Sequence, residues 1–174
     1  MTDTRRQIHA HVSANVGIHF NELVRESDFA TGQIQYHVRR LVDDGDLDRD
    51  EFYGRTHFYP PGFDERERHV IALFRRETTR DIVVFLIECE PTTPATVVDE
   101  LGIARSTLEH HLSRLVEQRL VEKRYDEHNR VSLHLVDPDQ TASFLRAVSP
   151  TVPDRLVDRF TRLVDGLLED QAGP

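Results

Sequence analysis

The sequence predicts a mainly α chain with small β-hairpins, an α+β class built from two copies of one unit plus a helical tail. Two stretches far apart share one cadence of polar turn, helical spacing and strand-like alternation. They are "TGQIQYHVRRLVDDGDLDRDEFYGRTHFYP" at residues 31–60 and "RSTLEHHLSRLVEQRLVEKRYDEHNRVSLHLV" at 105–136. Setting Ile34 on Leu108, an offset of 74, aligns 31–49 with 105–123 without gaps, and four of the nineteen pairs are identical: His37/His111, Arg40/Arg114, Leu41/Leu115 and Val42/Val116. An ordered series crossing helix, turn and strand marks a duplicated supersecondary unit. At 174 residues the chain also has room for two small domains and accessories.

Each element follows from local pattern. In the first copy, residues 4–15 and 21–27 read as a helix and a short helix, 28–31 as a tight turn and 33–44 as the next helix. A hairpin over 47–59 then turns at Tyr53-Gly54-Arg55. Gly32 sits early in its helix, permitting close approach at some cost in propensity. After the stiff Tyr59-Pro60-Pro61-Gly62 turn, an extra helix over 65–76 buries Val70, Ile71 and Phe74.

The second copy opens with a helix over 79–89, where Phe85 and Ile87 suggest a buried, inert Cys89. Val97, Val98, Leu101 and Ile103 suit a short amphipathic helix ending at Gly102. Ala104-Arg105-Ser106 makes the turn, with Ser106 able to cap the following helix. That helix, about 107–118, buries Leu108, Leu112, Leu115 and Val116 at i, i+4, i+7 and i+8. A strand runs from Leu120 to Arg124, "DEHN" forms the tip, and Val131, Leu133 and Leu135 alternate on the return. A short helix over about 140–148, a "SPTVP" break and a last helix over 154–169 complete the chain. The domains expected are thus 1–62, a linker helix at 63–78, 79–138, and a tail at 139–174.

Composition narrows the setting. With 38% hydrophobic and 30% charged residues the chain is globular rather than disordered. No apolar run approaches the roughly 20 residues of a membrane span, and the start lacks an apolar signal core, so a cytoplasmic protein is expected. A single cysteine excludes an internal disulfide. The net charge is −9, yet among 22 basic residues only Lys123 is lysine, and 17 aspartates outnumber 14 glutamates. Such a surface suits concentrated salt, where a Debye length of about 3 Å at 1 M suppresses self-repulsion. A halophilic microbial source is expected, and arginine placement rather than net charge decides whether a polyanion binds.

Helix, short helix, turn, helix and hairpin make a winged helix-turn-helix. "IHFNELVRESDFATGQIQYHVRRLVDDGDL" and "PATVVDELGIARSTLEHHLSRLVEQRLVEK" resemble the DNA-binding helices of ArsR/MarR-type regulators. The whole chain looks like the haloarchaeal-type regulators that carry two such domains in tandem. Two features depart from the pattern: Ser27 stands opposite Leu101, and Asp43, Asp44, Asp46 and Asp48 crowd the first hairpin.

A recognition helix fits the major groove, where base edges are distinguishable. The polar positions between stripe members are then the candidate contacts with double-stranded DNA. In the first copy they are Thr31, Gln33, Gln35, Tyr36, Arg39 and Arg40, with Arg49, Arg55 and His57 on the wing. In the second they are Arg105, Ser106, Thr107, His110, Ser113 and Arg114, with Arg124, His128 and Arg130 on the wing. Gln33 or Gln35 could pair with adenine, Arg105 and His110 could read bases, Arg114 could clamp phosphate, and Glu109 could accept from a cytosine amine.

The tail suggests assembly. Leu156, Phe160, Leu163 and Leu167, with Val164 and Leu168, form a broad apolar face suited to a homodimer reading two half-sites. A tandem winged-helix protein–protein scaffold, or one copy on DNA and the other on a protein partner, is the alternative. His9/His11 and His110/His111 lack helical ligand spacing, so no metal or cofactor is expected. Neither P-loop, dinucleotide fingerprint, nucleophile elbow nor zinc-protease helix is present, so an enzyme is not expected.

Overall fold

A computed structural model describes residues 3–148. The chain divides into two compact units, one up to Arg75 and one from Arg76 onward.

The first unit contains α1 (Asp3–Ala14), β1 (Ile18–His19), α2 (Phe20–Glu26), α3 (Thr31–Asp43), β2 (Asp48–Phe52), β3 (Arg55–Tyr59) and α4 (Glu65–Phe74). Ile8 and Val12 of α1 meet Leu23 of α2 and Ile34, Val38 and Leu41 of α3 in one core, closed by Ile18, Leu47 and Phe58. The wing is a three-stranded antiparallel sheet in the order β1-β3-β2, not a bare hairpin. Tyr53 and Gly54, at φ 47° and 72°, make its two-residue turn, the left-handed pairing that matches strand twist. Strand β1 is invisible to sequence pattern because two residues carry no periodicity.

Helix α4 packs on this unit. Asp64 caps it, accepting from Glu67 N at 2.8 Å while the Glu67 carboxylate accepts from Asp64 N. Tyr59 donates its hydroxyl to the Arg68 carbonyl at 2.8 Å. Arg75, with a side chain only 4% exposed, donates to Glu22 Oε1 at 2.6 Å and fixes α4 against the start of α2. Ser27 accounts for its departure from the pattern by donating back to the Leu23 carbonyl at 2.6 Å.

The second unit contains α5 (Glu77–Glu88), α6 (Pro94–Leu101), α7 (Arg105–Glu117), β4 (Val121–Tyr125), β5 (Val131–Leu135) and α8 (Pro138–Val148). Ile82, Val83 and Leu86 of α5, Val97 of α6 and Leu108, Leu112 and Leu115 of α7 are buried, with Leu120, Val121, Leu133 and Leu135 from the wing. Thr92 forms a single bridge to Leu133, standing where β1 stands in the first unit. Thr93 caps α6 and Pro94 opens it, and Gly102 ends it at φ 62° as expected. The duplication reaches the backbone: Gly45 and Arg119, at the same place in the repeat, are both left-handed, at φ 77° and 55°.

Several expectations are corrected. The N-cap of α7 is Ala104, with no side-chain cap, so Ser106 lies inside the helix and caps nothing. Val116 is 39% exposed, because it lies about 100° around the helix from Leu115 at the edge of the stripe. Val98, Leu101, Ile103 and Val131 are half-buried rather than core. Cys89 is exposed, since α5 ends at Glu88 and the C-cap turns out of phase with the stripe. The expected dimer residues Leu156, Phe160, Leu163 and Leu167 lie outside the described residues.

Candidate nucleic-acid interface

Burial of Ile34, Val38 and Leu41 turns the opposite face of α3 outward. Thr31, Gln33, Gln35, Tyr36, Arg39 and Arg40 are all exposed there, Tyr36 to 60%. Gln33 is partly engaged, its side-chain oxygen accepting from Ala30 N at 3.3 Å, and so supports the start of the helix.

Between α3 and the wing runs an open groove of about 700 Å³. Gln35, Arg39 and Asp43 of α3 line one wall, Arg49 and Arg55 of the wing the other, and His19, Asn21, Val38, Val42, Phe20 and Phe58 also contribute. The arginine side chains are exposed, Arg39 to 83% with a long 3.9 Å pairing to Asp43. Arg49 and Arg55 have no ion-pair partner among the described residues.

Apart from Asp43, the aspartates that crowd this wing face elsewhere. Arg5 of α1 pairs with Asp44 and, at 3.5 Å, with Asp46. Arg68 of α4 pairs with Asp48 at 3.6 Å and Asp50 at 3.2 Å, and His69 lies 3.6 Å from Asp50. Alternation along β2 sends Asp48 and Asp50 toward α4 and leaves Arg49 exposed. The Arg5 hydrogen bond chiefly holds the Asp44 carboxyl below its ordinary range.

His57 is a correction. Expected on the wing surface, it is 2% exposed, and its Nδ1–H donates to the Gly17 carbonyl at 2.7 Å. β1 pairs with β3 on the side away from β2, which makes β3 the central strand and covers His57. The neighbouring His19 caps α2, its Nδ1 accepting from Glu22 N at 3.3 Å. Burial lowers the pKa of His19 despite Glu22 beside it.

The second unit exposes Arg105, Ser106, His110 and Ser113 on α7, and Arg124, His128 and Arg130 on the wing, while Thr107 and Arg114 are half-buried. Its cations are largely paired. Arg105 Nε donates to Glu109 Oε1 at 3.1 Å and Lys123 Nζ to Glu109 Oε2 at 2.7 Å. Arg124 pairs with Glu122 through Nε at 2.7 Å, and Arg130 with Asp126 at 2.7 Å. Asp126 also accepts from the backbone of His128 and Arg130, both at 2.9 Å, so that pair shapes the tip. Ser113 donates to the His110 carbonyl at 2.9 Å. His111 shares a 2.9 Å hydrogen bond with Thr79 and ties α7 to α5.

Sequence reasoning does not reach the Glu109 bridge, although its signal lies in the alignment: Gln35 and Arg49 in one copy correspond to Glu109 and Lys123 in the other. Among the described residues no group of three or more His, Cys, Asp or Glu is arranged to hold a metal. No helix among them is long and apolar enough to cross a membrane.

Fold and site define the class: a protein of two tandem winged helix-turn-helix domains. Residues 2–71 match a family described as an N-terminal HTH domain. Residues 76–123 match the bacterial regulatory proteins of the arsR family. One curated relative, an uncharacterised HTH-type transcriptional regulator of Methanocaldococcus jannaschii, is 24% identical over 135 residues. The match covers 78% of this chain but 34% of the relative, so this chain spans about a third of that protein's length. Among solved structures, the mRNA-binding domain of elongation factor SelB from E. coli aligns with 79% of this chain and all of its own, at 16% identity and a TM-score of 0.30. ZitR from Lactococcus lactis aligns with 83% of this chain and 99% of its own, at 16% identity and a TM-score of 0.32. Superpositions this loose transfer no site.

Proposed function

We propose that this protein is a sequence-specific double-stranded-DNA-binding transcriptional regulator, with recognition helices α3 and α7 in the major groove and the wings on the backbone. The observation that carries the reading is the open groove of the first unit, where Arg39, Arg49 and Arg55 flank a channel beside an exposed recognition face. Guanidinium forks match phosphate oxygens in geometry as well as charge, and bonds to phosphate fix the register in which Gln35 and Tyr36 meet base edges. In this reading the first unit makes the principal electrostatic contact, while the second meets DNA with a largely self-compensated face.

A second reading places the first unit on DNA and the second on a protein partner, and the paired cations of the second unit favour it. The apolar positions of the tail support a homodimer, for which sedimentation would return about twice the 20.2 kDa chain mass. The primary reading is tested by selecting bound fragments from genomic DNA in high potassium chloride. Wild type should enrich a defined sequence, and Arg39→Ala should weaken enrichment more than Arg105→Ala. Enrichment undiminished in both variants would reject the assigned surface.

A further inference from the structure

The two units place opposite chemistry at one position. In the first, Gln35 and Arg49 lie on opposite walls of the open groove. In the second, the corresponding residues, Glu109 and Lys123, are joined by the 2.7 Å hydrogen bond, and Arg105 adds a second donor at 3.1 Å. The hydrogen bond from Lys123 is the largest influence holding the Glu109 carboxyl below its ordinary range. Arg124 and Arg130 are likewise paired, with Glu122 and Asp126.

We propose that Glu109 occupies, in the second unit, the seat that a nucleic-acid phosphate takes in the first, and thereby withholds Lys123 and Arg105 from the DNA backbone. This rests on the DNA-binding reading above and assigns the two copies different roles. Carboxylate and phosphate oxygens accept from the same ammonium and guanidinium donors. An intramolecular carboxylate holds those donors without the concentration dependence of a bound duplex, and its charge repels an incoming phosphate. The second unit thus contributes little sequence-independent affinity. Glutamine at this position in the first unit presents no such charge to Arg49.

The experiment measures binding of a short random-sequence duplex to the full chain by fluorescence anisotropy across a potassium chloride series. The proteins are wild type, Glu109→Gln, Lys123→Gln, the double variant, Arg49→Ala and the reciprocal Gln35→Glu. Each phosphate neutralised adds about 0.9 to the magnitude of the log–log salt slope. Glu109→Gln should therefore bind more tightly with a slope steeper by about 1–2 as Lys123 and Arg105 are released. Most of that gain should vanish in the double variant, and Lys123→Gln alone should move the slope by less than about 0.5. Gln35→Glu should weaken binding and flatten the slope by about 1 as it engages Arg49.

If wild type binds and Arg49→Ala weakens it, an unchanged slope in Glu109→Gln would overturn the assignment. So would a gain that persists in full without Lys123, since loss of one acidic charge would then explain it. Failure of wild type to bind any duplex would overturn the DNA reading itself, and this assignment with it.

Discussion

Among the glycines of the first unit, Gly17 leaves least room for a side chain. Its φ is 76°, and a Cβ there would stand 2.5 Å from Ile71 Cγ2 and 3.3 Å from Tyr59 Cε1. The backbone cannot slide away, because Gly17 N donates to Phe58 O at 2.9 Å while its carbonyl accepts from His57 at 2.7 Å. Gly17→Ala therefore adds two costs. A side chain in the left-handed region costs about 1–2 kcal/mol, and forcing a methyl into a packed site costs about 1–3 kcal/mol more. The sum, about 2–5 kcal/mol, would remove a large fraction of a small domain's stability. Gly45 is the internal control: its φ is 77°, but nothing lies within 4 Å of its would-be Cβ, so Gly45→Ala should carry the strain alone. Amide hydrogen exchange followed by mass spectrometry on first-unit peptides reads both variants without requiring the chain to unfold as one. Peptides spanning β1 and β3 should exchange much faster in Gly17→Ala than in Gly45→Ala. Equal protection in the two would refute the close packing of α4 on the wing.

Further outcomes follow from the same geometry. Glu22→Ala leaves Arg75 buried without its carboxylate and should destabilise the first unit by roughly 3–5 kcal/mol in urea unfolding, the scale of a broken buried pair. His57→Ala should lower first-unit stability while leaving the salt slope of DNA binding unchanged, because the residue is buried. His19 and His111 both have pKa values lowered chiefly by burial, so each remains neutral in the fold where the unfolded chain would take up a proton. Their stabilising contribution is complete above the unfolded pKa near 6.5 and lost as pH falls through the lower folded values. Thermal midpoints should thus decline as pH drops below about 6.5, and less steeply in His111→Asn.

The order of helices and hairpins is readable because each long element buries a periodic stripe, as Ile34, Val38 and Leu41 do in α3. The left-handed stop at Gly102 is readable because glycine there follows a short apolar period. What escapes depends on pairings across the chain. A two-residue β1 decides that β3 is central and that His57 is buried, and no local pattern announces such a pairing. The buried stripe of α7 is narrower than its apolar residues suggest, leaving Val116 out, and Cys89, just beyond a helix end, does not share the burial of the helix before it. Residue type and helical phase together identify candidate DNA-facing residues, and they place Arg39, Arg49 and Arg105 correctly on the surface. Phase cannot say which of them is already held by a neighbouring carboxylate. The aspartates around the first wing suggest a weaker DNA face there; with Arg5 and Arg68 taking up Asp44, Asp46, Asp48 and Asp50, the first unit is the less encumbered of the two.

The central claim, that the groove between α3 and the first wing grips the DNA backbone, is tested most directly by the salt dependence of a variant lacking all three of its arginines. Arg39→Ala, Arg49→Ala and Arg55→Ala combined should flatten the log–log slope by nearly 3, about 0.9 for each phosphate no longer neutralised, equally on specific and random duplexes. A slope matching wild type, with the fold intact by hydrogen exchange, would mean that DNA is held elsewhere.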